Sequence, residues 1–346
     1  MRRSALPMPL ACAWVLCACS SVRPDPEFEP LETGVRVSLR GLSVPSPDVV
    51  WASGATGTVI RSIDAGRTWQ VHQVPGAEAL DFRSLHAFDA NRAVLATAGT
   101  PARIYRTADG GDTFELAWES PFGSAFFDAI AFWDDRHGIA FSDPVEGAFY
   151  IVVTADAGAH WDRVPVSALP EPLLGEAGFA ASGSGLRLFG MREVIVGTGG
   201  GDTARVLRSR DRGRSWTVHD TPVRAGDPAA GIFSIAVRGE RVIAVGGRYL
   251  DPDLGERSAA YSTDGGVTWR PSEPMPSGYR SSVAWFDLDG RPIAVAVGRN
   301  GADVTDDLGA SWRRVGSAPF QAIRSSPSGS TGFAVGAGGS AARVRF

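Results

Sequence analysis

The sequence of 346 residues contains no lysine, so all 34 of its basic side chains are arginines. A phosphate-binding P-loop, which needs a lysine, is therefore excluded. The three cysteines, Cys12, Cys17 and Cys19, all lie within the first twenty residues. The rest of the chain thus carries no disulfide and no thiol chemistry. A net charge of −4 is too small to indicate binding to nucleic acid or to an acidic membrane surface.

The apolar run near the start of the chain, Ala5 to Ala18, is too short to cross a membrane. Because Met1-Arg2-Arg3 precedes it and small polar residues follow it, the run has the layout of a secretory signal. Leu16-Cys17-Ala18-Cys19 resembles a bacterial lipobox, which predicts a signal peptide over residues 1–18 and lipidation at Cys19. A plain signal peptide or a wrongly assigned start codon is the open alternative. We expect an exported, periplasm-facing lipoprotein, held in the inner or outer membrane through its lipid alone.

One short pattern recurs along the chain: Ser or Thr, any residue, Asp, any residue, Gly, two further residues, then an aromatic. Its first copy is Ser62–Trp69. The aspartates of the six copies are Asp64, Asp109, Asp156, Asp211, Asp264 and Asp307. Successive copies are 43 to 55 residues apart. A short motif that returns at such a period indicates a repeat architecture.

Each copy lies between two short runs of residues that favour β-strands, such as Ala102–Arg106 and Thr113–Trp118. Asp109-Gly110-Gly111 between them predicts a hairpin turn, since glycine supplies positive φ and aspartate bonds to the nearby backbone. We therefore interpret the six aspartates as structural residues of turns and not as metal ligands. Every unit contains four such short strands, which is typical of propeller blades. No segment has a convincing amphipathic helix period.

This repeat resembles the Asp box of bacterial neuraminidase (BNR) repeats, which are β-propeller blades. Gly54–Ser62 and Gly298–Trp312 resemble the repeat of the photosystem II assembly/stability-factor propellers, which share the sialidase-superfamily fold. The resemblance extends over the whole mature chain, but it consists of the residues that are repeated from blade to blade. It implies seven blades and a role in binding or assembly, and the sequence contains no hint of a photosynthetic partner.

The number of strands indicates how the ring closes. Three strands without a box follow the sixth box, at residues 322–326, 332–336 and 342–346, so the last unit lacks one strand. Phe28–Gly34 stands where that outer strand is needed. The sequence predicts an all-β, seven-bladed propeller of four-stranded blades over residues 30–346, closed by an N-terminal strand in the last blade. Residues 19–29 are predicted to form a tether.

Blade geometry places the candidate binding residues on one face. Loops between strands two and three, and the links between blades, lie on the face opposite the boxes, and the long box intervals come from insertions there. The candidate residues of this face are Asp143, Glu146, Glu176, Arg205, Arg248, Tyr249, Arg280 and Arg299. We expect Asp143, Glu176, Arg205, Arg248 and Tyr249 to converge. Their ion pairs would either shape a pocket for an anionic group or only brace long loops.

Enzymatic alternatives have weaker support. A sialidase needs three arginines, for which Arg205, Arg248 and Arg280 are candidates, a nucleophile such as Tyr249 or Tyr279, and an acid such as Glu176. The Phe-Arg-Ile-Pro signature of sialidases is absent. Propellers of this type are sometimes labelled oxidoreductases, but no flavin, haem or nicotinamide site is visible.

Two further features bear on cofactors. The glycine run Gly197–Gly201 lacks dinucleotide-binding spacing. The five histidines show no spacing typical of metal ligands. We therefore expect no catalytic residue, no metal and no cofactor. The predicted protein is a monomer that binds a protein or peptide partner and no nucleic acid.

Overall fold

The computed structural model describes residues 25–346, so the predicted signal peptide, Cys19 and most of the predicted tether lie outside the described residues. The described chain forms seven antiparallel sheets of four strands each. Single turns of 3₁₀ helix occur at Val166–Ala168 and Ala337–Gly339. None of the described residues belongs to a helix that could cross a bilayer.

Blades 1 to 4 follow one another along the chain. Blade 1 contains β2 (Leu39–Ser43), β3 (Val50–Gly54), β4 (Thr58–Ser62) and β5 (Gln70–Gln73). Blade 2 contains β6 (Phe82–Ala87), β7 (Ala93–Thr97), β8 (Arg103–Thr107) and β9 (Glu115–Glu119). Blade 3 contains β10 (Phe127–Phe132), β11 (Gly138–Val145), β12 (Ala148–Thr154) and β13 (Asp162–Arg163). Blade 4 contains β14 (Leu186–Phe189), β15 (Glu193–Gly197), β16 (Arg205–Ser209) and β17 (Thr217–Asp220).

Blades 5 to 7 complete the ring. Blade 5 contains β18 (Ala230–Arg238), β19 (Arg241–Arg248), β20 (Ala259–Ser262) and β21 (Arg270–Pro271). Blade 6 contains β22 (Ser282–Leu288), β23 (Arg291–Gly298), β24 (Gly301–Thr305) and β25 (Arg313–Gly316). Blade 7 contains β26 (Ala322–Ser325), β27 (Gly332–Val335), β28 (Ala341–Arg345) and β1 (Glu27–Leu31).

The first strand of each blade is the inner strand of the ring. Each inner strand contacts that of the next blade, and β26 of blade 7 contacts β2 of blade 1. The second strands are apolar and buried on both sides, as β3 and β7 show, whereas the outer strand β5 is largely exposed. Apolar clusters fill the spaces between neighbouring blades; one of them joins Ile104, Phe127 and Trp161. The strands of a blade thus change from apolar near the axis to polar at the rim.

The Asp boxes form turns that are closed by their own side chains. In the first box Ser62 Oγ donates to Asp64 Oδ1 at 2.8 Å, and the backbone and hydroxyl of Thr68 donate to the same carboxylate at 2.9 and 2.6 Å. The Trp69 indole donates to the Gly66 carbonyl at 3.1 Å. The Thr68 hydrogen bonds, joined by that of Ser62, lower the pKa of Asp64 to about 2. All of these partners lie within eight residues, so the turn is a local structure.

The N-terminal strand closes the ring, as the sequence predicted. β1 pairs antiparallel with β28, with Phe28 opposite Val344, and the Phe28 ring stacks on Phe320 at 5.3 Å. The strand begins at Glu27, so residues 27–29 belong to blade 7 and not to the predicted tether. An outer strand exposes alternate side chains to solvent, and its polar composition therefore resembles that of a linker.

We predict that a chain beginning at Glu32, which lacks β1, melts roughly 5–10 °C below the full chain, because blade 7 loses one strand and the Phe28 contact. It should also aggregate more readily, since β28 becomes an unpaired edge. Differential scanning calorimetry and light scattering measure the two effects. A control chain beginning at Asp25 should melt as the full chain does. Equal melting temperatures for the two truncated chains would show that β1 does not close the ring.

Candidate functional site

Irregularities in the inner strands turn side chains toward the axis. In four blades the inner strand contains a β-bulge, and the extra residues are Arg40, Arg83, Asp128 and Phe233. A bulge leaves one residue unpaired and re-aims its side chain. Ser281 and Gln321 stand at the corresponding point of two other blades, directly before β22 and β26. The same local feature is thus repeated around the ring.

These residues line one cavity of about 350 Å³ at the mouth of the central channel. The cavity opens on the face that carries the links between blades and the loops between second and third strands, opposite the Asp boxes. Residues in or beside the inner strands of six blades contribute to it, together with the link that leads into blade 4. The link before blade 4 adds Phe179, and the loops add Asp143, Tyr249 and Arg299. We call this space the mouth cavity.

Three arginines stand together at the mouth cavity. Arg83 is paired with Asp81 at 2.7 Å, whereas neither Arg40 nor Arg299 makes a side-chain hydrogen bond or an ion pair with any residue between 25 and 346. Burial and the neighbouring charge of Arg83 lower the pKa of Arg40, and the Asp81 carboxylate partly offsets them. Asp81 is already paired with Arg83, so the half-buried Arg40 favours a further anionic partner. The arginine side of the cavity can therefore receive a carboxylate or another anion.

Two carboxyl groups occupy the blade 3 side of the mouth cavity. Asp128 is only 3% exposed, and neither of its oxygens has a hydrogen-bond partner among the described residues. Asp143 Oδ1 accepts a hydrogen bond of 2.8 Å from the Gly178 backbone. Burial raises the pKa of Asp143 to about 6, and burial followed by the Asp143 charge raises that of Asp128 well above its usual value. A proton held between the two carboxyls supplies the donor that the Asp128 oxygens otherwise lack.

Aromatic rings form the wall on the blade 4 to blade 6 side. Phe179 stacks on Phe233 with ring centroids 3.9 Å apart, and Tyr279 meets Phe233 edge to face at 4.8 Å. Tyr249 completes this group at 6.1 Å. Burial raises the pKa of Tyr279, so its hydroxyl stays neutral. The cavity thus combines a cationic side, an acidic side that binds a proton, and an apolar wall.

The structure separates the residues predicted for this face into two groups. Asp143, Tyr249 and Arg299 line the mouth cavity. The predicted convergence does not extend to Glu176, Arg205 and Arg248, which are not part of its lining. Their positions follow from ion pairs that they make elsewhere.

Buried charge pairs explain these other positions. Glu176, whose side chain is fully buried, accepts hydrogen bonds from Arg205 Nε at 2.9 Å and from the Thr198 hydroxyl at 2.6 Å. Arg280 is fully buried and donates to Asp303 at 2.6 Å and to Asn300 at 2.6 Å. Removing one member of such a pair leaves a buried charge uncompensated, which costs about 3–5 kcal/mol. These residues brace the long insertions.

Two further predicted residues also lie outside the mouth cavity. Arg248 lies between Asp227 at 3.1 Å and Asp251 at 2.5 Å. Glu146 is exposed in the turn before Gly147 and has a positive φ of 53°. Arg205, Arg248 and Arg280 therefore do not form the arginine triad of a sialidase.

Sequence reasoning missed Arg40, Arg83, Asp128 and Phe233 because it examined loops and links, whereas these residues belong to inner strands. A signal was present. In Leu39–Leu42, Phe82–Leu85 and Phe127–Ile130, an apolar residue is followed by a charged residue, a small residue and another apolar residue. The small residue is required by space, since a Cβ on Gly41 would lie 2.2 Å from Ser53 Oγ. The charged residue that recurs at the same position of these inner strands was therefore the sequence signal for the mouth cavity.

The fold and the repeated turns define an Asp-box β-propeller of seven blades. The family described as BNR/Asp-box repeat matches residues 260–271, which overlap the fifth box. No significant match to the sequence was found among curated proteins.

Solved structures show which individual proteins are similar. "YCF48 bound to D1 peptide" has 16% identity and a TM-score of 0.61, covering 92% of this chain and 95% of that chain. YCF48 from Cyanidioschyzon merolae has 18% identity and a TM-score of 0.61, covering 93% and 99%. The structure of U3-55K has 15% identity and a TM-score of 0.63, covering 93% and 98%. At these identities the likeness shows a shared fold.

We predict that Asp128→Asn raises the melting temperature at about pH 8 and that this gain shrinks toward about pH 5. A carboxyl whose pKa is raised by folding binds its proton more tightly in the folded state, so its contribution to stability falls as pH rises from its ordinary pKa to its folded pKa. Asparagine does not titrate and avoids this loss. Thermal melts of both proteins across this pH range measure the difference. The exposed control Asp202→Asn should show no such trend, and a pH-independent effect of Asp128→Asn would contradict the raised pKa.

Proposed function

We propose that this protein is a non-enzymatic propeller that binds an extended peptide, or a protein segment, across the mouth cavity. The observation that carries the proposal is the cluster of Arg40, Arg83 and Arg299 at one cavity, in which only Arg83 forms an ion pair. Inner strands are rigid elements, and a site on rigid elements is already ordered before its ligand arrives.

The chemistry of the cavity fits one end or one side chain of a peptide. Its volume of about 350 Å³ is at the small end of ligand sites, so most of a larger partner would lie outside it on the rim. Arg40 and Arg299 supply charge-assisted donors for a carboxylate, and Phe179 with Tyr249 supplies an apolar surface. The similar fold of YCF48, solved with a D1 peptide, supports a peptide as the ligand class.

A hydrolase of the sialidase-like class is the second candidate, because the mouth cavity contains three arginines, two tyrosines and two carboxyls. Tyrosine needs an adjacent carboxylate to act as a nucleophile. Within residues 25–346 no hydrogen bond joins the hydroxyl of Tyr249 or Tyr279 to a carboxylate, which favours binding. Turnover of a fluorogenic sialoside that is lost in Tyr249→Phe or Tyr279→Phe would establish the hydrolase instead.

The binding proposal predicts that charge reversal weakens peptide binding at the mouth cavity but not on the face that carries the Asp boxes. Peptides selected from a library on the wild-type protein should bind at least about tenfold more weakly to Arg40→Glu and to Arg299→Glu, a loss of about 1.4 kcal/mol or more. Fluorescence anisotropy of labelled peptides measures the dissociation constants. Arg67→Glu is the matched control, since Arg67 is an exposed arginine on the box face. Equal affinities for all four proteins would place the peptide elsewhere.

We further propose that the protein is a monomeric lipoprotein of the bacterial envelope, anchored through Cys19. The lipobox-like Leu16–Cys19 supports this anchor. Cys19→Ala should move the protein from the membrane fraction to the soluble fraction and change its gel mobility, because the precursor is neither lipidated nor processed. Cys17→Ala is the control and should fractionate as the wild type does. If Cys19→Ala also fractionates as the wild type, the lipobox interpretation is wrong.

A further inference from the structure

Two arginines that face the central channel lie apart from the mouth cavity lining. Arg187 belongs to β14 of blade 4 and Arg324 to β26 of blade 7, so they stand three blades apart in a ring of seven. Arg324 Nη2 donates to the Ser182 carbonyl at 3.0 Å, in the link that leads into blade 4. The Arg324 side chain therefore crosses the channel from one side to the other.

The hydrogen-bond partners of both arginines are neutral. Arg187 Nε donates to the Ile235 carbonyl at 2.9 Å, and Arg324 Nη1 donates to the Ile323 carbonyl at 2.9 Å and to Ser282 Oγ at 3.3 Å. The terminal nitrogens of Arg187 donate to no residue between 25 and 346, and they are not sealed from the channel space. Donors without acceptors thus face the lumen.

The charge of this pair is not balanced by the described residues. No carboxylate forms an ion pair with Arg187 or Arg324 among residues 25–346. Burial lowers the pKa of Arg187 to about 10, and burial followed by the Arg187 charge lowers that of Arg324 well below its usual value. A guanidinium nevertheless stays protonated at ordinary pH. Both side chains are only partly exposed, and two such cations that repel each other are unfavourable unless an opposite charge joins them.

Two other arginines of the protein are balanced differently. Arg205 and Arg280, which are also largely buried, each contact a buried carboxylate directly. Around Arg324 the inner strands and the link before blade 4 supply serine hydroxyls instead, with Ser184 Oγ donating to Ser234 Oγ at 2.7 Å. The missing partner of the channel arginines is thus a negative charge that none of the residues 25–346 provides.

We infer that the central channel binds a small inorganic anion, of halide size, between Arg187 and Arg324. The ion would accept hydrogen bonds from the free terminal nitrogens of Arg187 and offset the repulsion between the two guanidinium groups. A halide suits the space better than a larger anion, because the Arg324 side chain already spans the channel at this level. The site differs from the mouth cavity in its residues, and it does not depend on what binds there.

Thermal unfolding at constant ionic strength tests this inference. When sodium chloride replaces sodium gluconate, from about 5 to about 200 mM chloride, the melting temperature of the wild type should rise by a few degrees, since a ligand of the folded state stabilises it. Arg187→Met should lose this chloride dependence, because methionine keeps much of the side-chain length but no donor. Arg67→Met, on the exposed box face, should keep it. The same chloride dependence in all three proteins, or none in the wild type, would overturn the inference.

Crystals of the wild-type protein grown in sodium bromide give a second test that does not need a folded variant. Anomalous scattering should show one bromide within hydrogen-bond distance of Arg187 and close to Arg324. Bromide found only beside the mouth arginines Arg40 and Arg299, or no bromide in the channel, would overturn the channel site.

Discussion

The antiparallel pairing of β1 with β28 is the contact on which the rest of the structure depends. Residues from opposite ends of the sequence, such as Phe28 and Val344, meet in it and complete the seventh blade. Without this blade, β26 would lose its support, and the contact between β26 and β2 that completes the inner ring would be weakened. The mouth cavity receives side chains from six blades and from the link before blade 4, so its shape requires a closed ring.

Arginine has two separate roles in this protein. Away from the axis, arginines brace the loops in ion pairs, as Arg205 does with Glu176. Along the axis, neither Arg40 nor Arg324 forms an ion pair with a described residue, although the Asp81 charge acts on Arg40. A chain with a net charge of −4 thus places uncompensated positive charge along its central channel. This distribution, and not the overall composition, indicates an anionic ligand group.

The sequence predicted the fold because the Asp box is local. The side-chain hydrogen bonds of the first box join residues within one turn, so Ser62–Trp69 can be recognised without knowledge of its surroundings. The number of boxes and the three strands after the last one then indicated seven blades. The outer strand predicted from Phe28 begins at Glu27, and residues 27–29 of the predicted tether are part of it, since an outer strand has the composition of a linker.

The candidate site was predicted less completely because it is not local. The face was identified from the direction of the loops, and Asp143 and Arg299 do line the mouth cavity. Whether Arg205 meets a ligand or Glu176 depends on distances between loops, which a sequence pattern does not contain. Arg40 and Asp128 reach the cavity through bulges, which change the direction of a side chain without changing the pattern of a strand.

The central claim is that the ligand is bound at the channel mouth, on the face opposite the Asp boxes. A crystal structure of the protein with a library-selected peptide tests it most directly. We predict a peptide that lies over the inner strands and accepts a hydrogen bond from Arg40, with part of its chain inside the mouth cavity. A peptide that instead pairs with an exposed outer strand such as β5, or that lies over the boxes, would contradict the account.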